Sequence, residues 1–300
     1  MTDLSSSGPE SRPGPRPRPT TVTGADPTLL ERVRMIWLYR DLLVNLTRKE
    51  LKVTYKNSVL GFVWSLLNPL MYLVIFSIVF QEILRAQVPR YAIYLLSGLI
   101  AWNLFSSSVA AASGAVVGNS TLVQKVWFPR EVLPLAAVGA ALWHFMLQLG
   151  VLCLALLAFR HDPEWRMIPI LLAALVVLVV LTSGVSIAVS ALNVRYRDTG
   201  HLLDLTLLAW FWMTPIVYEY LPISDRLGDN SWIAFINPVL PVVMIFQEAL
   251  YNPDAGIALP EESAWWFLRN LGVVAVVSVG VLFLGLRIFA ALDPDLAEDV

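Results

Sequence analysis

Few side chains in this sequence are equipped to make or break a covalent bond, and those few are poorly placed to cooperate. The single cysteine, Cys153, lies in an apolar run, so it closes no intrachain disulfide and joins no thiolate cluster; a small core residue is expected there. His144 is the histidine set well inside an apolar stretch, where a lone imidazole more often packs or hydrogen-bonds between helices than moves protons. Asp198 and Asp204 come closest to a carboxylate pair, but six residues of separation put them on poorly matching faces of a helix, against general acid–base work. The nearest approach to a phosphate-cradling loop, Gly114 to Ser120 (GAVVGNS), lacks the lysine that such a loop requires. No catalytic residue, no metal set and no bound cofactor is therefore expected of this chain.

The elements that position its side chains belong in a solvent other than water. Of 300 residues, 57% are apolar and only 15% charged, whereas soluble domains carry roughly 25% charged residues. Nearly uncharged runs at 61–83, 92–113, 133–159, 168–192, 202–218 and 266–291 are each about long enough to cross a hydrocarbon core of roughly 30 Å. The expectation is an all-α integral membrane protein with six transmembrane helices. A further apolar stretch, 232–251, holds Asn237-Pro238 and Pro241 and carries Gln247 and Glu248. Proline removes backbone donors, so this stretch reads as two short arms that enter the membrane and return, although charge counts alone leave a seventh span open.

The formal net charge of −2 hides an uneven distribution. A dense basic group from Arg12 to Lys56, then Lys125, Arg130, Arg195, Arg197 and Arg287, falls on one side of the six spans, while Arg85, Arg90, Arg160, Arg166, Arg226 and Arg269 fall on the other. The positive-inside rule then puts both termini in the cytoplasm, and a plasma membrane is the expected location. Residues 1–27, rich in Pro, Ser, Gly and Arg and without the apolar core of a signal peptide, are expected to be a disordered cytoplasmic tail. Residues 28–57 read as an amphipathic cytoplasmic interface helix, 58–292 as the membrane domain and 293–300 as an acidic cytoplasmic tail. Within the interface helix Ile36, Tyr39, Leu43 and Leu46 recur on one face, while Arg48, Lys52 and Lys56 share another that suits anionic headgroups.

The loop between the second and third runs, VQKVWFPREV, sets Val126, Trp127 and Phe128 beside Lys125, Arg130 and Glu131, with Pro129 as punctuation. That mixture suits a protein–protein socket, although a plain interfacial turn with aromatic anchoring has the same composition. Arg195, Arg197 and Asp198 form the other inner loop, or simply mark a span boundary.

From Arg40 to Leu70 the chain reads RDLLVNLTRKELKVTYKNSVLGFVWSLLNPL, and with LVQKVWFPREVLPLA (122–136), LNVRYRDTGHLLDL (192–205) and the stretch around INPVLP it resembles the transmembrane subunit of the ABC-2 type polysaccharide exporters. The resemblance runs from about Leu38 to Ala290. It implies an ATP-driven export permease for a lipid-linked polysaccharide such as an O-antigen, teichoic acid or galactan precursor. It further implies a homodimer of six-span subunits with two copies of a separate ATPase that uses ATP and Mg, a re-entrant extracytoplasmic gate before the last span, and ATPase contact through the cytoplasmic loops and the interface helix around Arg48, Lys52, Tyr55 and Lys56. Sugar rings stack on aromatic faces, which makes Trp64, Asn68 and Tyr72 on the first span, Tyr94, Trp102 and Phe105 on the second, and Trp210, Thr214 and Tyr218 on the fifth the candidate pathway residues; membrane anchoring is the competing role for such rings. An ABC-2 exporter of a drug or small lipid has similar topology, while an ion-coupled carrier and a membrane glycosyl-transfer enzyme fit less well, for want of mid-span carboxylates and a catalytic pair. Nucleic acid is not an expected partner.

Overall fold

The computed structural model describes residues 29–56, 63–83, 88–251, 259 and 262–299, and all regular structure among them is helical. The tail expected over 1–27 and the side chains of Trp64 and Asn68 lie outside the described residues. Two N-terminal helices, α1 (Leu29–Leu38) and α2 (Arg40–Tyr55), meet at a bend at Tyr39 that keeps the helical hydrogen bonds on either side of it. Then come α3 (Val63–Ser77), which runs on as a π-helical stretch Ile78–Ile83, α4 (Tyr91–Ser113), the short α5 (Ser120–Lys125), α6 (Val132–Ala158) and α7 (Ile168–Arg195). The chain closes with α8 (Thr199–Met213), α9 (Leu221–Leu227), a 3₁₀ stretch Gly228–Ile236, α10 (Val239–Tyr251) and the 36-residue α11 (Ala264–Asp299).

Four of these helices, α4, α6, α7 with the turn before it, and α11, are long and apolar enough to cross a bilayer. They coincide with four of the expected spans. α4 is the hub, with 72% of its most apolar stretch buried within the protomer against 28% for α6 and α11, whose apolar surface is left for lipid. Two expected spans look different. α3 carries an apolar run of Leu70–Phe80, shorter than a bilayer crossing. The span expected at 202–218 stops at Met213, because Thr214 precedes Pro215 and takes the extended backbone (φ −105°, ψ 123°) that a following proline enforces. At 15 residues α8 is only about 22 Å long. The stretch 232–251 is a pair of helices bent by 96° at Asn237-Pro238, as the prolines require.

α7 and α11 cross almost in backbone contact. A Cβ on Gly184 would fall 2.6 Å from the Leu282 amide nitrogen, and one on Gly285 only 2.3 Å from the Gly184 carbonyl oxygen. Small residues let helix backbones approach this closely in lipid, where dispersion rather than water expulsion holds helices together. Gly184→Leu should therefore destabilise the protein by more than about 3 kcal/mol, since backbone cannot rotate out of the way. Gly150→Leu, at a position on α6 with open space beside it, should be neutral. A thermal-shift comparison in detergent checks both.

The core has two centres. The larger surrounds α4, α7 and α10. The second, at the opposite end of α4, gathers Val116, Val123, Phe128, Val132, Leu286 and Phe289, and the predicted stripe Ile36, Tyr39, Leu43 and Leu46 closes it. The apolar side of the interface helix is thus taken up by protein. α2 also runs with α6: Thr47 Oγ1 donates to the Ala136 carbonyl (3.4 Å) near Gly139, and two turns on Tyr55 Oη and His144 Nε2 share a hydrogen bond of 3.1 Å.

Candidate functional site

Beside the second core α5 finishes at Lys125 and Val126 turns extended, which carries the segment out as far as Trp127 and back in at Phe128. Lys125, Val126 and Trp127 face solvent, with Trp127 77% exposed and held edge-on to Tyr39 at 6.5 Å. Phe128 and Pro129 turn in, and Phe128 is 5% exposed within the second core. This corrects the expectation of Phe128 as an outward knob: it is the peg that seats the segment. Arg130 donates to the Asp293 carbonyl (2.8 Å) and to its carboxylate (3.1 Å), and the buried Glu131 accepts from Arg32 (2.5 Å). Two of the three charges expected on the socket are spent on holding it to the ends of the chain. Those partners lie 163 and 99 residues away, beyond any local pattern.

The loop between α7 and α8, with Arg195, Tyr196, Arg197 and Asp198, is exposed. Asn193 holds it: its Nδ2 donates to the Ser113 carbonyl at the end of α4 (2.9 Å), and its Oδ1 accepts from the Gly200 amide (3.1 Å). The legible charges thus sit on a staple that composition did not reveal. On α2, Arg48, Lys52 and Lys56 are exposed and line a shallow basin of about 350 Å³ with Asn45 and Lys49, whereas Tyr55 is turned toward His144.

Away from that end, α8 and the bent pair enclose a cavity of about 720 Å³, lined among others by Thr206, Trp210, Tyr218, Ile233, Asn237 and Leu240. Trp210, Thr214 and Tyr218 do not share a helical face, because α8 has ended before Thr214. A side chain not singled out as a site residue ties Trp210 and Thr214 together. Asn237 Oδ1 accepts from Trp210 Nε1 (2.8 Å) and from the Val239 amide (3.0 Å), its Nδ2 donates to Thr214 Oγ1 (2.8 Å), and that hydroxyl donates to the Trp210 carbonyl (2.9 Å). The Asn-Pro pair was legible as a helix breaker; its amide fixing the wall of a cavity was not.

The rings of Tyr94, Trp102 and Phe105 are buried in the protomer and already faced by other rings. Phe105 meets Trp210 edge-on at 5.0 Å, Trp102 lies 5.8 Å from Phe211, and Tyr94 meets Tyr251 at 5.4 Å. They back the cavity wall rather than line it. Tyr72 is about half exposed and stacks on Phe76 at 5.9 Å.

The sequence of this bundle of long apolar helices, with its short loops and a bent, proline-broken pair before the last helix, is matched by the family model of the ABC-2 type transporters over residues 41–251. The chain belongs to the ABC-2 transporter family. It is 30% identical over 277 residues to an O-antigen export system permease protein of Myxococcus xanthus, covering 91% of this chain and all of the relative. An O-antigen export system permease protein of Klebsiella pneumoniae is 35% identical over 217 residues, 71% of this chain and 81% of its own length. At 22% identity over 248 residues, a polysialic acid transport protein of Escherichia coli shares 80% of this chain and 89% of its own length. As an ABC-2 family member the chain is a multi-pass membrane transport subunit that works with an ABC ATPase, and is not an enzyme in itself. The matched residues contain both of these loops, nearly all of α2 and the bent pair.

Proposed function

We infer that this chain is the permease subunit of an exporter that moves a lipid-linked polysaccharide, an O-antigen, teichoic acid or galactan precursor, across the plasma membrane. The cavity of about 720 Å³ carries the reading: it is walled by Trp210 and Tyr218, held in shape by Asn237, and large enough for more than one sugar unit. The permease names of the relatives point the same way. Two copies of the chain assemble with two copies of the ATPase, which uses ATP and Mg, and six crossings are completed when α3 with its π-helical extension and α8 with the segment after it each count as one. The bent pair is then a re-entrant outer gate, both termini lie in the cytoplasm, and Lys125, Val126, Trp127, Arg197 and Asp198 face the ATPase. The Arg48, Lys52 and Lys56 face meets anionic lipid or the charged head of the substrate. A predominantly apolar cavity lining favours one alternative, an ABC-2 exporter of a drug or small lipid.

Depleting the protein from its host separates the two. Lipid-linked glycan should accumulate on the cytoplasmic side, and the complex co-purified with its ATPase should hydrolyse ATP whereas the isolated chain should not. Normal surface glycan after depletion would discard polysaccharide as cargo, and ATP hydrolysis by the isolated chain would discard the division of labour.

A further inference from the structure

A second cavity, of about 520 Å³, lies on the other side of α9 from the first, and Tyr218, Ile223 and Leu227 line both. Its remaining walls come from the π-helical stretch (Phe80), Val88 just before α4, Tyr91 at the start of α4 and the segment 217–226. Tyr91 opens α4 at the end opposite the cytoplasmic core, and its hydroxyl donates to the Val217 carbonyl (2.6 Å), which ties the segment to that end. Three features converge on the space. Phe80, partly buried, forms an apolar wall, and the buried ring of Tyr91 backs it with ring planes 12° apart and centroids 5.6 Å apart. Glu219 enters from one side of α9 and Arg226 from its last turn. Among the described residues neither charge makes a hydrogen bond or ion pair.

The geometry points to a saccharide-binding subsite at the outer end of the path, in which Glu219 accepts from sugar hydroxyls, Arg226 donates to ring or hydroxyl oxygens, and Phe80, backed by Tyr91, receives the C–H face of a sugar. The inference rests on the reading of the chain as a glycan exporter and deepens it. A pocket of several hundred cubic ångströms with an apolar lining and a few convergent polar groups is the general form of a small-ligand site. Two opposite charges left unpaired beside an aromatic wall match a neutral polyol, which offers acceptors to the guanidinium, donors to the carboxylate and apolar C–H patches to the rings. A drug or acyl chain would leave both charges unanswered, at the cost of desolvating them. The shared lining makes the subsite contiguous with the first cavity, so a chain passing between α8 and the bent pair meets it on the way out.

The test uses host cells making their own glycan. Glu219→Gln and Arg226→Gln keep size and remove charge, while Asp225→Asn, on α9 but outside the lining, is the control. Each of the first two should lower surface glycan about tenfold, the loss expected for one charge-assisted hydrogen bond, with intracellular lipid-linked glycan rising, membrane protein level unchanged and the ATPase rate of the purified complex unchanged. Asp225→Asn should export normally. Phe80→Leu, which keeps an apolar wall but removes the ring, should also fall short, and Phe80→Trp should restore export. Wild-type export by both Glu219→Gln and Arg226→Gln overturns the subsite. So does a loss of export that follows loss of protein from the membrane in both variants. If deleting the whole protein causes no glycan accumulation, the exporter reading itself has failed, and that result stands apart from either.

Discussion

Trp127→Ala is expected to leave the protein folded and inserted but to release its ATPase. Trp127 is the large aromatic side chain that the segment after α5 leaves exposed, and it is presented rigidly, with Tyr39 on one side and the buried Phe128 next in the chain. Exposed, pre-positioned tryptophans are common energetic centres of protein interfaces, and truncating one costs about 2 kcal/mol or more, roughly a thirtyfold loss of affinity. Pull-down of the ATPase from detergent extracts should weaken by about that factor, and surface glycan should fall with it. Phe128→Ala gives the contrast. It empties a site in the second core at a cost of about 3–5 kcal/mol, so the protein itself should be lost from the membrane. Full ATPase recovery with Trp127→Ala would move the contact surface elsewhere.

The other large effect is expected at Asn237. One amide meets the Trp210 indole, the Val239 amide and the Thr214 hydroxyl, and joins the end of α8 to the start of α10. Asn237→Leu keeps the volume but strands those groups where water is scarce, at about 1–3 kcal/mol for each one left unpaired. Export should stop, and the thermal midpoint of the purified protein should drop. Asn237→Asp retains an acceptor for the indole and for the Val239 amide and loses only the donor to Thr214, so it should keep measurable export. Equal behaviour of the two variants would mean that the cavity wall does not depend on this network.

How much of this was legible in the sequence follows from the range of the forces involved. Apolar run length identified α4, α6, α7 and α11, because burying backbone polar groups in lipid is decided within a single helix. Proline chemistry placed the 96° bend at Asn237-Pro238, and helical periodicity placed Ile36, Tyr39, Leu43 and Leu46 against the second core. The same proline rule, applied to Thr214-Pro215, would have ended α8 at Met213 and kept Thr214 and Tyr218 off its face. Pairings across the chain were out of reach. Nothing near VQKVWFPREV announces that Arg130 belongs to Asp293 and Glu131 to Arg32, and without those partners Phe128 and Trp127 look alike. Aromatic count likewise marked Tyr94, Trp102 and Phe105, but only packing shows their faces already occupied by other rings.

The two adjacent residues that grip opposite ends of the polypeptide have a mechanical meaning. Arg130 grips the C-terminal part of α11, a rod about 54 Å long by its 36 residues, while Glu131 grips α1. A displacement delivered to Trp127 therefore cannot be absorbed by a slack loop. It loads the first helix and the last together, and the last carries it past the Gly184 pivot toward the far side of the bilayer.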